Sequence, residues 1–155
     1  MNKLDRKILD LLQKDCTLTT ADIAERVGLS KAPCWRRIRS LRDAGIIKQS
    51  VALLDAKSLN VGTTVFVMIK TADHSAAWFE RFVRAVRDAP EVTEIYRMSG
   101  DVDYLMRIVV PNIDAYDAVY KKLIANVDFL DVSASFTLET IKYTTALPLQ
   151  YAEVE

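Results

Sequence analysis

The stretch from residue 19 to residue 45, TTADIAERVGLSKAPCWRRIRSLRDAG, constrains the chain most. Two short amphipathic segments flank the three-residue hinge Gly28-Leu29-Ser30. Thr19 is a good N-cap, with Asp22 three residues on in capping-box position. The helix it opens buries Ile23, Ala24 and Val27, and Gly28 ends it in the left-handed conformation glycine adopts at a helix C-terminus. Ser30 caps the next helix, Pro33 falls in its tolerant first turn, and Gly45 stops it after Ala44. A preceding stripe of Leu4, Ile8, Leu11 and Leu12 adds an amphipathic helix over residues 4–14. Helix, helix, tight turn, helix is a helix-turn-helix pattern. Residues 46–54 are apolar enough for a strand or strand pair, a short wing, and 55–62 read as a linker.

Charge separates this front module from the rest. The whole chain of 155 residues balances at 21 Lys/Arg against 21 Asp/Glu, yet residues 1–50 carry 11 against 6 and residues 51–155 carry 10 against 15. A net +5 module suits a polyanion and a net −5 remainder does not. On a wheel of the third helix, Cys34, Ile38 and Leu41 share the core side. Arg36, Arg39 and Ser40 fall opposite, Arg37 and Arg42 flank the seam, and Lys31 and Trp35 lie near the border. An apolar spine with an arginine-rich outer face fits a DNA major groove. Arg36 and Arg39 suit guanine edges, while Arg37, Lys31 and Ser30 suit phosphates. The candidate DNA-contacting set is Ser30, Lys31, Ala32, Trp35, Arg36, Arg37, Arg39 and Ser40.

The second module follows another pattern. Residues 63–70 are β-branched and apolar, 75–89 carry Phe79, Phe82, Val83 and Val86 on one helical face, and Pro90 closes that helix. Strands are expected at 92–98, 104–110 and 132–138, and a helix at 114–126 with Tyr116, Val119, Tyr120 and Leu123 along one side. The order β-α-β-β-α-β is ferredoxin-like, so the fold class is α+β, a winged helix-turn-helix followed by a βαββαβ sandwich. Both helices on one sheet face leave the other bare, and a second copy of the sheet is its cheapest cover. The expected modules are 1–54, the linker 55–62, and 63–155, with Leu147 and Leu149 of the tail packing on a partner subunit.

Other chemistry is sparse. His74 is the only histidine and falls in a loop; Cys16 and Cys34 lie 18 residues apart without a histidine nearby, so no metal site is expected. There is no glycine-rich phosphate loop and no nucleophile elbow, so no cofactor and no catalytic activity are expected. Two cysteines suit a reducing cytoplasm, Cys34 reads as a small buried hydrophobe, and no apolar run is long enough to span a membrane.

LDRKILDLLQKD, ADIAERVGLS, PCWRRIRSLRDAGII and SGDVDYLMRIVVPNIDAY, in this order and separation, resemble the leucine-responsive/asparagine regulator (Lrp/AsnC) family of transcription factors. DCTL, PCW and IKYTTALP further resemble a cysteine-responsive branch of that family. The resemblance implies DNA binding, homodimers that assemble four to a ring as octamers, and a small effector, usually an amino acid, held between dimers. It places that effector near the turn Met98, Ser99, Gly100, Asp101, Asp103 and Tyr104, with a further response position at Ile113, where the next helix starts, and with Phe136 and Thr137 of the last strand shaping the side-chain pocket. From the residues alone, Gly100 permits close backbone approach and Asp101 and Asp103 suit an ammonium group, while a plain hairpin turn explains the same residues. Two rival readings stay open at this point: an amino-acid-binding regulatory subunit or enzyme domain without DNA, and an architectural DNA-binding protein without an effector.

Overall fold

The computed structural model describes residues 1–125 and 127–153. The chain forms two compact units, residues 1–53 with the segment from 142 onward, and Leu54–Ile141.

In the first unit, α1 (Lys3–Lys14), α2 (Thr20–Val27) and α3 (Lys31–Asp43) pack around Ile8, Leu9, Ile23, Ala24, Val27, Cys34, Ile38 and Leu41. The capping box expected at Thr19 and Asp22 is present, and Gly28 ends α2 at φ 72°. A second capping box, Asn2 with Asp5, starts α1; an N-cap followed three residues on by an acid is its signature in the sequence. The expected wing does not form a strand: among the described residues, 46–54 carry no ladder. Instead the Ile46 and Ile47 N–H groups both donate to the Leu41 carbonyl, at 3.0 and 3.1 Å, and fold the chain back onto α3. Val51, Leu53 and Leu54 stay exposed, because a strand needs a neighbour to satisfy its backbone and none lies beside this one.

The tail also departs from expectation. Residues 142–153 join the first unit, not the sheet module. The Leu147 N–H donates to Gln13 Oε1 at 2.9 Å and Gln13 Nε2 donates back to the Leu147 carbonyl at 3.2 Å. Leu149, in a single 3-10 turn (Leu149–Tyr151), packs on the three-helix core. A primary amide offers a donor and an acceptor side by side, so Gln13 pairs with the tail as a neighbouring strand would. Leu149 thus finds its apolar partner within its own chain, while Leu147 stays exposed.

The second unit opens with residues 55–62, which are a hydrogen-bonded turn rather than a loose linker: Asp55 Oδ2 accepts the Ser58 N–H at 2.8 Å, and Val61 N–H reaches the Ala56 carbonyl at 2.9 Å. Strands β1 (Thr63–Lys70), β2 (Val92–Arg97), β3 (Tyr104–Val110) and β4 (Asp131–Phe136) form one antiparallel sheet in the order β2-β3-β1-β4. Helices α4 (Ala76–Arg87) and α5 (Ile113–Ile124) cover one face. The helix expected over residues 114–126 extends to Asn126, which lies outside the described residues. Strand alternation sends Val65, Val67, Ile69, Met106 and Ile108 beneath the helices. The α4 face is rotated from the expected one: Trp78, Phe82 and Val86 are buried and Phe79 is exposed. The Trp78 indole N–H explains the choice, since it donates to the Asp128 carbonyl at 2.8 Å while the ring stacks on Phe82 at 5.0 Å. The other sheet face carries Phe66, Met68, Leu105 and Val109 beside the Arg107–Glu94 ion pair, 3.1 Å long. No helix among the described residues is long and apolar enough to cross a membrane.

Candidate functional site

The hinge and the core fix how α3 presents its side chains. Cys34, Ile38 and Leu41 are buried, and burial raises the Cys34 thiol above its ordinary pKa, so it stays protonated as an apolar filler. Lys31, Ala32, Trp35, Arg36, Arg39 and Ser40 are exposed. Ser30 sits at the N-cap, yet its hydroxyl makes no capping bond. The first N–H groups of α3 are therefore left without a side-chain cap beside the exposed Ser30, a disposition that accepts an anion.

The arginines differ among themselves. Arg37, expected at a phosphate, is instead tied to α1: its guanidinium lies 2.9 Å from Asp5 Oδ1, and both side chains are largely covered. The wheel placed Arg37 at the seam, and in the packed bundle that seam is where α1 runs. Arg39 lies over the Trp35 ring, 5.4 Å from its centroid, and 3.6 Å from Asp43. At that length, and with both partners exposed, the Arg39–Asp43 pair is weak and exchanges readily for another partner. Lys31, Arg36 and Arg42 enter no salt bridge among the described residues. A half-apolar hollow of about 240 Å³ beside Trp35 and Arg39 runs back to Leu12 and Cys16.

In the second unit the expected effector residues fall at two ends of the sheet. At one end, the β2–β3 turn is locked from behind. The Met98 N–H donates to the Asp103 carbonyl at 2.8 Å and the Asp103 N–H to the Ile69 carbonyl at 2.9 Å. Asp103 Oδ2 accepts the Thr71 N–H at 2.8 Å, so one of its oxygens is committed within the chain. Met98, Ser99, Gly100 and Asp101 stand exposed, with Gly100 at φ 110°, where a side chain is strained. Tyr104 does not face the turn's surface: its ring is buried against Phe82 at 4.8 Å, so only its backbone belongs to the turn. Thr71, which anchors Asp103, carries no sequence signal of that role.

At the other end lie Ile113, exposed at the start of α5, and Phe136, whose ring meets Tyr116 edge-on at 5.3 Å. The Thr137 N–H donates to the Thr64 carbonyl at 2.9 Å. The Thr137 hydroxyl oxygen is buried and has no hydrogen-bond partner among the described residues. Thr64 and Ile69 are five residues apart on β1, about 17 Å at the rise of an antiparallel strand. One chain therefore does not bring the turn and the Phe136–Thr137 corner to a single small molecule.

The winged helix-turn-helix DNA-binding model matches residues 1–48, and the Lrp/AsnC ligand binding domain model matches residues 64–147. The chain belongs to the Lrp/AsnC family of transcription regulators. It is similar to the glutamate uptake regulatory protein of Zymomonas mobilis, 49% identical over 149 residues (96% of this chain, 91% of that protein). It is equally similar to the DNA-binding transcriptional activator DecR of Escherichia coli, 49% identical over 151 residues, covering 97% of this chain and 99% of that one. Among solved structures, an AsnC family transcriptional regulator from Agrobacterium tumefaciens is 57% identical, with a TM-score of 0.95 over 99% of this chain and 100% of that one. The regulator NMB0573 of Neisseria meningitidis, solved as a complex with L-Met, is 37% identical, with a TM-score of 0.92 over 97% and 98%. This Lrp/AsnC chain is thus a DNA-binding transcription regulator with a ligand-binding domain, as its motifs and fold imply.

Proposed function

We propose that this regulator reads a roughly palindromic operator with two α3 helices, one from each subunit of a homodimer, and that an amino acid modulates it from a site shared between dimers. The reading module is residues 1–54 and the sensing module starts at residue 63. It acts as a switch in the cytoplasm, beside the DNA it reads, and not as an enzyme. The observation that carries the DNA half is the segregation on α3: an apolar spine buried inward, with Arg36, Arg39, Lys31 and Ser40 exposed outward. Arg36 and Arg39 take base edges, Lys31 and the Ser30 hydroxyl take phosphate, and Trp35 with Ala32 and Ser40 completes the contact surface. Arg37 serves this surface indirectly, by fixing α3 on α1.

The separation along β1 supports assembly on the effector side. A ligand the size of an amino acid touches both Asp101 and the Ile113, Phe136 and Thr137 corner only where two copies bring these ends together. Asp101 and the free oxygen of Asp103 suit the α-ammonium group, and the exposed turn N–H groups suit the carboxylate. The apolar sheet face with Phe66, Met68, Leu105 and Val109 suits a second copy of the same sheet, giving the dimer from which octamers are built. The L-Met found with the Neisseria relative supports an amino-acid effector here.

Gel shifts with genomic fragments test the DNA half. Arg36→Ala and Arg39→Ala are each expected to weaken operator binding by ~1–3 kcal/mol. Unchanged binding in both overturns the assignment of the reading face. Calorimetry with the twenty amino acids, with sedimentation read in parallel, tests the effector half; silence across the panel overturns it.

A further inference from the structure

The first unit carries a second cationic surface that the reading of α3 does not use. A groove enclosing about 800 Å³ runs between α1, the C-terminal end of α2 and residues 146–150 of the tail. Residues 1–30 contain five Lys or Arg, namely Lys3, Arg6, Lys7, Lys14 and Arg26, and all five line this groove. Only one acid lines it, Asp10, which is paired with Lys14 at 2.7 Å. Of the segment's other acids, Asp5 is paired with Arg37, Asp15 accepts from Thr17 and Asp22 from Thr19, and Glu25 is exposed outside the groove lining. Lys3, Arg6, Lys7 and Arg26 enter no salt bridge among the described residues.

The groove is on the far side of α1 from the reading helix. Asp5 and Leu12 mark the side that meets α3, through Arg37 and through the hollow shared with Trp35 and Ile38. At about 100° per residue, Lys3, Asp10 and Lys14 lie roughly 170° round the helix from them. No residue of α3 lines the groove. Along α1 the groove is therefore set apart from a duplex seated on α3 by the width of that helix, about 10 Å.

We propose that this groove grips the phosphate backbone of a second segment of double-stranded DNA, so that each reading module holds two segments at once. The proposal rests on the reading of α3 as the operator contact. From Lys3 to Lys14 the row of cations is about 16 Å long at the helix rise. Phosphates of one strand recur every ~3.4 Å along the duplex axis, so about five face that length. Five cations gathered around a single acid repel one another, and a polyanion relieves that repulsion by releasing its own counterions. The contact reads no sequence, since the cations lie in a concave groove, which the outward-facing phosphates reach and the recessed base edges do not. It shortens or loops the DNA around the assembly.

The test uses operator duplex on beads, saturated with full-length protein, and a labelled nonspecific duplex offered as the second segment. The variant Lys3→Gln/Arg6→Gln/Lys7→Gln is compared with wild type and with the charge-keeping Lys3→Arg/Lys7→Arg. The neutral variant is expected to hold its operator with unchanged sedimentation while capture of the second duplex falls on the order of tenfold at low salt, and its salt slope by about 2.7 for three lost phosphates. The charge-keeping variant is expected to capture as wild type does. Equal capture by the neutral variant overturns the proposal and assigns the second duplex to free α3 helices elsewhere in the assembly. A parallel fall in operator affinity overturns it too, placing the groove inside the primary footprint. Capture of polyglutamate in preference to DNA overturns it in favour of an acidic protein partner. Failure of the Arg36→Ala and Arg39→Ala tests strikes the reading of α3 itself and is separate from all three.

Discussion

The tie between Arg37 and Asp5 makes a quantitative prediction that separates a structural arginine from a DNA-contacting one. The guanidinium lies 2.9 Å from the carboxylate, with side-chain exposures of 34% and 14%. Two unit charges centred ~4 Å apart attract by ~4 kcal/mol at an effective dielectric of ~20. Desolvating a mostly covered carboxylate and ordering a long arginine return much of that, so the net coupling is expected at ~1–2 kcal/mol, above an exposed pair and below the gross figure. Asp5 Oδ2 also accepts the Asn2 N–H at 2.9 Å in the capping box. Asp5→Asn is therefore the right probe, because an asparagine oxygen still caps α1 while the charge is gone. Urea unfolding of Asp5→Asn, Arg37→Gln and the double variant closes the cycle. Operator binding by Arg37→Gln, measured against salt, gives the second readout: a structural arginine leaves the salt slope unchanged, and a phosphate contact lowers it by about one. A coupling under ~0.3 kcal/mol together with a lost unit of salt slope refutes the reasoning and returns Arg37 to the DNA.

Two shorter predictions concern single groups. Asp103→Ala is expected to abolish the effector response while DNA binding survives. It is also expected to destabilise the sheet unit by ~1 kcal/mol, because the Thr71 N–H loses its acceptor; calorimetric unfolding alongside ligand titration shows both, and a normal response moves the pocket elsewhere. The Asp22 carboxyl titrates below its ordinary value because the Thr19 hydroxyl and N–H both donate to it. A depressed carboxylate contributes stability that is complete at neutral pH and is lost as pH falls below the ordinary carboxylate value and through its own lower one. Asp22→Asn is expected to flatten the acid limb of unfolding followed by circular dichroism, and an unchanged limb contradicts the cap's role.

Much of this architecture is legible in residues because local chemistry decides it. Thr19, Asp22 and Gly28 announce α2 by capping and by the left-handed turn, and Cys34, Ile38 and Leu41 give the α3 spine by spacing alone. The β-α-β-β-α-β order follows from alternation and punctuation, and the structure bears it out. What escaped depends on long-range partners. Nothing near residue 13 in sequence says that Gln13 pairs with Leu147, and no pattern warns that residues 46–54 lack a strand neighbour. The α4 wheel admits both Trp78 and Phe79 on its apolar side, and only the Asp128 carbonyl selects Trp78. The charge of Arg37 was plain, and its employment was set by Asp5, 32 residues away.

The split of the effector residues along β1 supports one last prediction, because a site built from two chains behaves differently in mixtures. Asp101 and Ile113 are both exposed, one at each end of the sheet, so Asp101→Lys and Ile113→Lys each spoil one half without disturbing the core. Each variant alone is expected to bind no amino acid, since every site then contains a spoiled half. Co-expressed as mixed assemblies, the two variants recombine their intact halves. With random mixing, roughly a quarter of the sites draw both halves from unspoiled ends, and titration calorimetry recovers about that fraction of the wild-type stoichiometry. A site built within one chain yields no recovery at any mixing ratio, because every chain carries a spoiled half. Zero recovery in assemblies shown by mass to be mixed therefore refutes the shared site, as does binding by either variant alone.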